Sequence, residues 1–316
     1  MRAGTMLHIT NGESVIHSFA AAHIDGAYLS WLDVLYEGPV PDLPHEALAG
    51  VRARAISELG WGEEAGVRNA FAARDAALAS FHDHGGDEIV LWFEHDLFDQ
   101  LQLIQALAWF ADQDLGGTQL SLVYIAAHEQ IPALLPERRP VTADQLSLGR
   151  AAWKAFCAPD PRAIVELLSP HSFRDLSPLP FLGAALRRWL EEYPSTQNGL
   201  SRTEQQLLEA AASGKRDRAA IFLASQQKEE SIFLGDSSAW LRLNRMTEGP
   251  APALHKTAPE QYSLTPFGNR LLAGEADWIR SRGGIDLWLG GVHLAGLDAA
   301  WRWDGDRRIL TGRTPT

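Results

Sequence analysis

Residues 88–93 read Glu-Ile-Val-Leu-Trp-Phe, an unbroken apolar run after the first position. A run this short without polar alternation suits a strand covered on both faces, as in a parallel sheet. Parallel neighbours need long crossovers, and the flanking chain supplies them. Residues 6–10 form a short apolar segment around His8, and Val15, Ile16, Phe19 and Ala20 follow with helical spacing. Residues 27–34 read as a second strand. Residues 44–59 and 63–81 read as helices broken by Gly60-Trp61-Gly62. Residues 96–112 form an amphipathic helix with Leu97, Leu101, Ile104, Leu107 and Ala108 on one stripe, and residues 120–125 are a fourth strand. Strand and helix in alternation predict an α/β fold built on a small doubly wound parallel sheet with right-handed crossovers.

The pattern changes after residues 132–140, which read as a linker rich in Pro and Arg. Helices are expected within 142–193. Ser201-Arg202-Thr203-Glu204 is a capping box opening a further helix. A second helix runs from Lys215 through Gln226, and Asp236 caps a third carrying Trp240, Leu241, Leu243 and Met246. A short hairpin and the helix 266–273 follow. Three helices, a hairpin and a helix is the winged-helix order. The expected organisation is therefore a Rossmann-like domain over 1–140, a helical connector over 141–198, and a mostly helical, winged-helix-like domain over 199–316 ending in a strand pair.

Charge and cysteine usage narrow the function. Residues 1–140 carry 7 Lys and Arg against 20 Asp and Glu, whereas 141–316 carry 21 against 20. So acidic a first half argues against wrapping a nucleic-acid backbone there. The single cysteine, Cys157, allows neither an internal disulfide nor a thiolate metal site, and fits a reducing, cytoplasmic setting. No run of about 20 apolar residues predicts a membrane span, and residues 1–6 do not read as a signal peptide.

In open α/β sheets, ligands bind outside the carboxyl ends of the strands. Four predicted loops meet that condition, and each holds polar or titratable groups. The first, Asn11-Gly12-Glu13-Ser14, offers a helix start and a glycine that could hold an anion, or simply a capping turn. The second holds Asp33 and Glu37. The third is Glu94-His95-Asp96, where a carboxylate and an imidazole follow a buried strand and could share a proton; Asp96, with Asp99, equally reads as a helix cap. The fourth holds His128-Glu129. Asp33, Glu94 and His95 are the candidate catalytic groups, with Asp33 or Glu94 as base. Asn11, Gly12, Glu13, Ser14, Glu37 and Asp96 are candidate ligand-binding groups. His8, inside a strand, reads as a packed core residue. The sequence has no GxGxxG, GxxxxGK[ST], HExxH or GxSxG motif. No metal site and no particular cofactor is therefore assigned, although His8, Asp33, Glu94, His95, Asp96 and His128 are types that suit Zn or Mn.

The expected function is an enzyme or ligand-binding protein acting on a small phosphorylated or nucleotide-like molecule. The alternative is a regulator with a ligand-sensing α/β domain and a DNA-reading third helix presenting Ser237, Ser238, Arg242, Asn244 and Arg245. Residues 200–282 hold 11 Lys and Arg against 10 Asp and Glu. That balance disfavours a nucleic-acid partner through Arg242 and Arg245.

Three segments carry a resemblance: His8-Ile9-Thr10-Asn11-Gly12-Glu13-Ser14, Trp31-Leu32-Asp33-Val34-Leu35-Tyr36-Glu37-Gly38-Pro39-Val40, and Trp92-Phe93-Glu94-His95-Asp96-Leu97-Phe98-Asp99-Gln100. Together they resemble the domain-of-unknown-function family 1835 over roughly the first 130 residues. Members of that family usually have Asp where this chain has Glu13. The resemblance implies positions of interest at these three loops and no particular activity.

Overall fold

Strand β3, Glu88–Phe93, is buried at every residue in the computed structural model, which describes residues 5–13, 16, 19, 23–125, 131–169, 172 and 174–312. On one side of β3 lies β1, Met6–Thr10, in parallel register, with Leu7 opposite Ile89 and Ile9 opposite Leu91. On the other lies β4, Gln119–Tyr124, also parallel. β2, Ala27–Ser30, pairs parallel with the free side of β1. The sequence reading placed a linker at 132–140. Instead, residues 139–140 form β5, Arg139–Pro140, antiparallel to β4. Proline cannot donate to a ladder, so an edge is where it can sit. The sheet order is β2-β1-β3-β4-β5, so the sheet is mostly parallel and five-stranded.

On one face, aromatic rings gather around His8, which is fully buried. Its ring lies 5.7 Å from Phe19 and 5.5 Å from Tyr28, and Phe19 meets Trp92 edge-on at 4.8 Å. His8 Nε2 donates to the Asp25 carbonyl at 3.1 Å, while its Nδ1 accepts from Trp92 Nε1 at 3.1 Å. Burial lowers its pKa, so the ring stays neutral and serves the core. Gly26 makes room for it: at φ +141°, a Cβ there would lie 2.8 Å from His8 Nε2.

The helix Leu97–Phe110 departs from expectation. Its sequence reads as amphipathic, yet Gln100, Gln102 and Gln105 are buried along with its leucines. It is buried nearly all round, with the helix Ala143–Cys157 packed against it. Gly149 permits that approach, since a Cβ there would fall 2.5 Å from Leu107 Cβ. β2 also ends early, at Ser30 rather than residue 34. Trp31 N–H still donates to the Thr10 carbonyl at 2.8 Å, but Leu32 turns the chain at φ +50°. A non-glycine residue in that region is uncommon and requires support from its surroundings.

By Cα proximity the chain divides into two compact units, residues 1–185 with 290–292, and residues 186–289 with 293–316. The second unit is largely helical with small hairpins. Its helices Arg202–Ala212, Arg218–Gln226 and Asp236–Arg245 precede a hairpin, Leu254–Ala258 with Gln261–Leu264, and a helix Pro266–Leu272. The capping box read from the sequence is present: Ser201 Oγ accepts from Glu204 N–H, and Glu204 Oε2 accepts from Ser201 N–H. Buried charge pins this unit. Arg188 bridges Glu192 and Glu229, each at 2.7 Å, and Arg242 faces Glu192 at 3.6 Å. Among the described residues, no helix is long and apolar enough to cross a membrane.

Candidate functional site

β1 has β2 on one side and β3 on the other, so the strand order reverses at β1. In open α/β sheets, the carboxyl ends of the strands at such a reversal are where ligands bind. Here the two strand ends are tied together. Asn11, just past β1, donates from Nδ2 to Asp99 Oδ2 at 2.8 Å. Asp99 lies in the first turn of the helix following β3, and its Oδ1 accepts from Glu94 N–H at 2.7 Å. Asp96 is the N-cap of that helix, accepting from Asp99 N–H at 3.1 Å. Gln100 donates from Nε2 to the Glu94 carbonyl at 2.7 Å. An Asp at the N-cap followed by an Asp in the first turn suits a helix start, where free N–H groups favour acceptors.

The same geometry gathers three carboxylates. One oxygen each from Glu94, Asp96 and Asp99 lie within 4.8 Å of one another, with Glu94 half-buried and both aspartates buried. Burial pushes the Asp96 carboxyl up to about 7; the neighbouring Glu94 charge adds to the rise, and backbone N–H groups oppose it. Asp99 is raised well above the usual range, first by burial and then by the Asp96 charge. Neither aspartate makes an ion pair among the described residues. The cluster can hold protons or a cation, and it repels a bare anion.

Of the residues singled out from the sequence, the structure brings Asn11, Glu94 and Asp96 together. Gly12 is half-buried in open space and Glu13 is exposed. Ser14, His128 and Glu129 lie outside the described residues. His95 is exposed, with its ring 5.7 Å from Phe181, which in turn meets Tyr124 at 4.9 Å. Tyr124 ends β4; its hydroxyl is buried without a hydrogen-bond partner among the described residues, and burial pushes its pKa up to about 12.

Asp33 and Glu37 belong to a separate arrangement around Arg52, which is 1% exposed. Arg52 Nε donates to both Asp33 oxygens at 3.1 Å, and Nη2 donates to Oδ1 at 2.7 Å. Its remaining donors hold the carbonyls of Val34, Glu37 and Pro39. The cavity lined by Asp33, Arg52 and Arg74 measures about 10 Å³, room for one water at most. Asp33 therefore anchors the loop after β2, and its arginine-bound carboxylate is poorly placed to act as a base.

In the second unit, Ser238 and Arg242 are buried, Arg242 donating to the Ser238 carbonyl at 3.2 Å. Ser237 and Asn244 are exposed, and Asn244 accepts from the Tyr262 hydroxyl at 2.9 Å.

Sequence reasoning passed over Asp99 and Gln100 as site residues, and it passed over Arg52 altogether. Asp99 carried a signal, since it stands three residues after Asp96 and so on the same first turn. Arg52 carried none, because a lone arginine inside a helical pattern reads as solvated. No family model matches the chain, and a search of curated proteins finds no match either.

Proposed function

We propose that the first unit is a doubly wound α/β domain that binds, and either senses or transforms, a small phosphorylated or nucleotide-like molecule at the carboxyl ends of β1 and β3. The observation that carries this reading is the clasp from Asn11 to Asp99, which joins the two strand ends at the reversal of strand order. Half-buried Glu94 joins this clasp through its N–H on Asp99, and the next residue, His95, is exposed. In this reading Asn11 and Gly12 orient the ligand, while Glu94 and His95 exchange protons with it. Asp33 positions the neighbouring loop through Arg52. Membership of the domain-of-unknown-function family 1835 is part of the proposal and rests on the three motifs, two of which fall at this site.

The second unit is proposed to be a winged helix in a structural role. The support is that Arg242, one of the two arginines considered for DNA contact, is buried against Glu192. A cytoplasmic location is proposed with it, from the single cysteine.

The test is binding of a panel of nucleotides and sugar phosphates to the full chain by equilibrium dialysis. Glu94→Ala and His95→Ala should each lose the bound compound while keeping the wild-type circular dichroism spectrum. Binding unchanged in both variants rejects the reading.

A further inference from the structure

We propose that Glu94, Asp96 and Asp99 together hold one hard divalent cation, of the magnesium, manganese or calcium class, at the end of β3. This deepens the ligand-site reading above and rests on it for location. A cluster of acids alone would not support a cation; two amide oxygens beside it do. Gln100 is 0% exposed, its Nε2 is engaged by the Glu94 carbonyl, and its Oε1 has no hydrogen-bond partner among the described residues. Asn11 engages Asp99 through Nδ2, and its buried Oδ1 is likewise without a hydrogen-bond partner among the described residues. An amide nitrogen and oxygen share one carbon, so each oxygen stays near the atom that its nitrogen holds, the Asp99 carboxylate for Asn11 and the Glu94 main-chain carbonyl for Gln100. Both unpartnered atoms are acceptors, as are the carboxylate oxygens around them. Among the described residues the two aspartates have only neutral donors, and a cation, directly or through its bound water, supplies the positive charge they are short of.

The dimensions agree. Opposite oxygens around an ion with bonds of 2.0–2.1 Å are about 4.2 Å apart, and around one with bonds of 2.3–2.6 Å about 4.6–5.2 Å apart. The three oxygens here fall within 4.8 Å. Oxygen-only donors select hard ions over zinc or copper. A bound cation also changes the sign of the local field, so a site that repels phosphate would attract it.

The test is titration of the full chain with Mn²⁺ alone in metal-free buffer, following free Mn²⁺ by electron paramagnetic resonance. Wild type should take up one ion per chain. Glu94→Gln and Asp96→Asn should weaken uptake by more than about tenfold, at least what loss of an outer-shell partner costs. Asn caps a helix about as well as Asp, so Asp96→Asn should stay folded, and circular dichroism checks this. Glu88→Gln, at the opposite end of β3, should bind as wild type does. No stoichiometric uptake by wild type, or uptake unchanged in both cluster variants, overturns the proposal. Repeating the phosphate-ligand dialysis with EDTA separates the two readings. Ligand binding that survives EDTA without Mn²⁺ uptake removes the cation and keeps the ligand site. Mn²⁺ uptake with no phosphorylated ligand bound keeps the cation and removes the ligand reading.

Discussion

The two ends of strand β3 treat acidic side chains in opposite ways. At the amino end, Glu88 accepts from Arg138 Nε at 2.8 Å, Ser121 Oγ at 2.6 Å and Gln119 Nε2 at 3.1 Å. Burial would raise its pKa, but these donors and the guanidinium charge hold it below the usual value. Asp33, at the end of β2, is neutralised in the same manner by Arg52. At the carboxyl end of β3, Asp96 and Asp99 are as deeply buried, yet among the described residues they have only neutral donors, each other and the Glu94 charge. A fold that brings an arginine to Glu88 and to Asp33 and, among the described residues, none to Asp96 and Asp99 leaves charge uncompensated where the strand order reverses. Such groups concentrate at functional sites.

The comparison can be broken most forcefully at Arg52. Arg52→Ala leaves the Asp33 carboxylate buried without its partner, and should cost about 3–5 kcal/mol in urea denaturation. A loss below about 1 kcal/mol would mean that Asp33 is not anchored as the geometry indicates.

Next is the pH dependence at the carboxyl end. Asp96 binds its proton more tightly folded than unfolded. Its contribution to stability is therefore present below the ordinary aspartate range and is lost as pH rises through about 7. Asp96→Asn should remove that decline and be more stable than wild type at pH 8 by on the order of 1–2 kcal/mol. Denaturation midpoints at pH 5 and pH 8 measure it, and parallel slopes for variant and wild type would contradict it. If the cation proposal holds, Mn²⁺ at pH 8 should raise the wild-type midpoint and leave that of Asp96→Asn unmoved.

The smallest effect belongs to the amino end, where the sign reverses. Glu88 has a lowered pKa, so its contribution is present above the ordinary glutamate value and is lost as pH falls through the lowered one. Arg138 is one-third exposed, so Arg138→Ala should cost only about 1 kcal/mol at pH 7 and less near pH 3. An equal cost at both pH values would show that the guanidinium acts by packing rather than by charge.

Much of this was legible from local pattern. The apolar run of β3, the strand–helix alternation, the Ser201 capping box and the polar groups at strand ends are written in consecutive residues, because period, capping and turn chemistry act over a few positions. Asn11, Glu94 and Asp96 could be singled out for that reason. The early end of β2 was not legible: a left-handed Leu32 violates local preference and is held by its surroundings. Nor was the burial of Gln100, Gln102 and Gln105, since a polar face looks solvated until another helix covers it.

By itself, then, the sequence determined that the first part of the chain is strand and helix in alternation, and which polar side chains stand near the strand ends. Only the tertiary structure decided which of them meet. Asn11 reaches Asp99 across 88 residues, and Arg52 takes Asp33 out of the candidate site across 19. Pairing at such separations depends on strand order and helix placement, which consecutive residues do not encode. It converts a list of polar strand ends into one carboxylate cluster with, among the described residues, no arginine for its two aspartates.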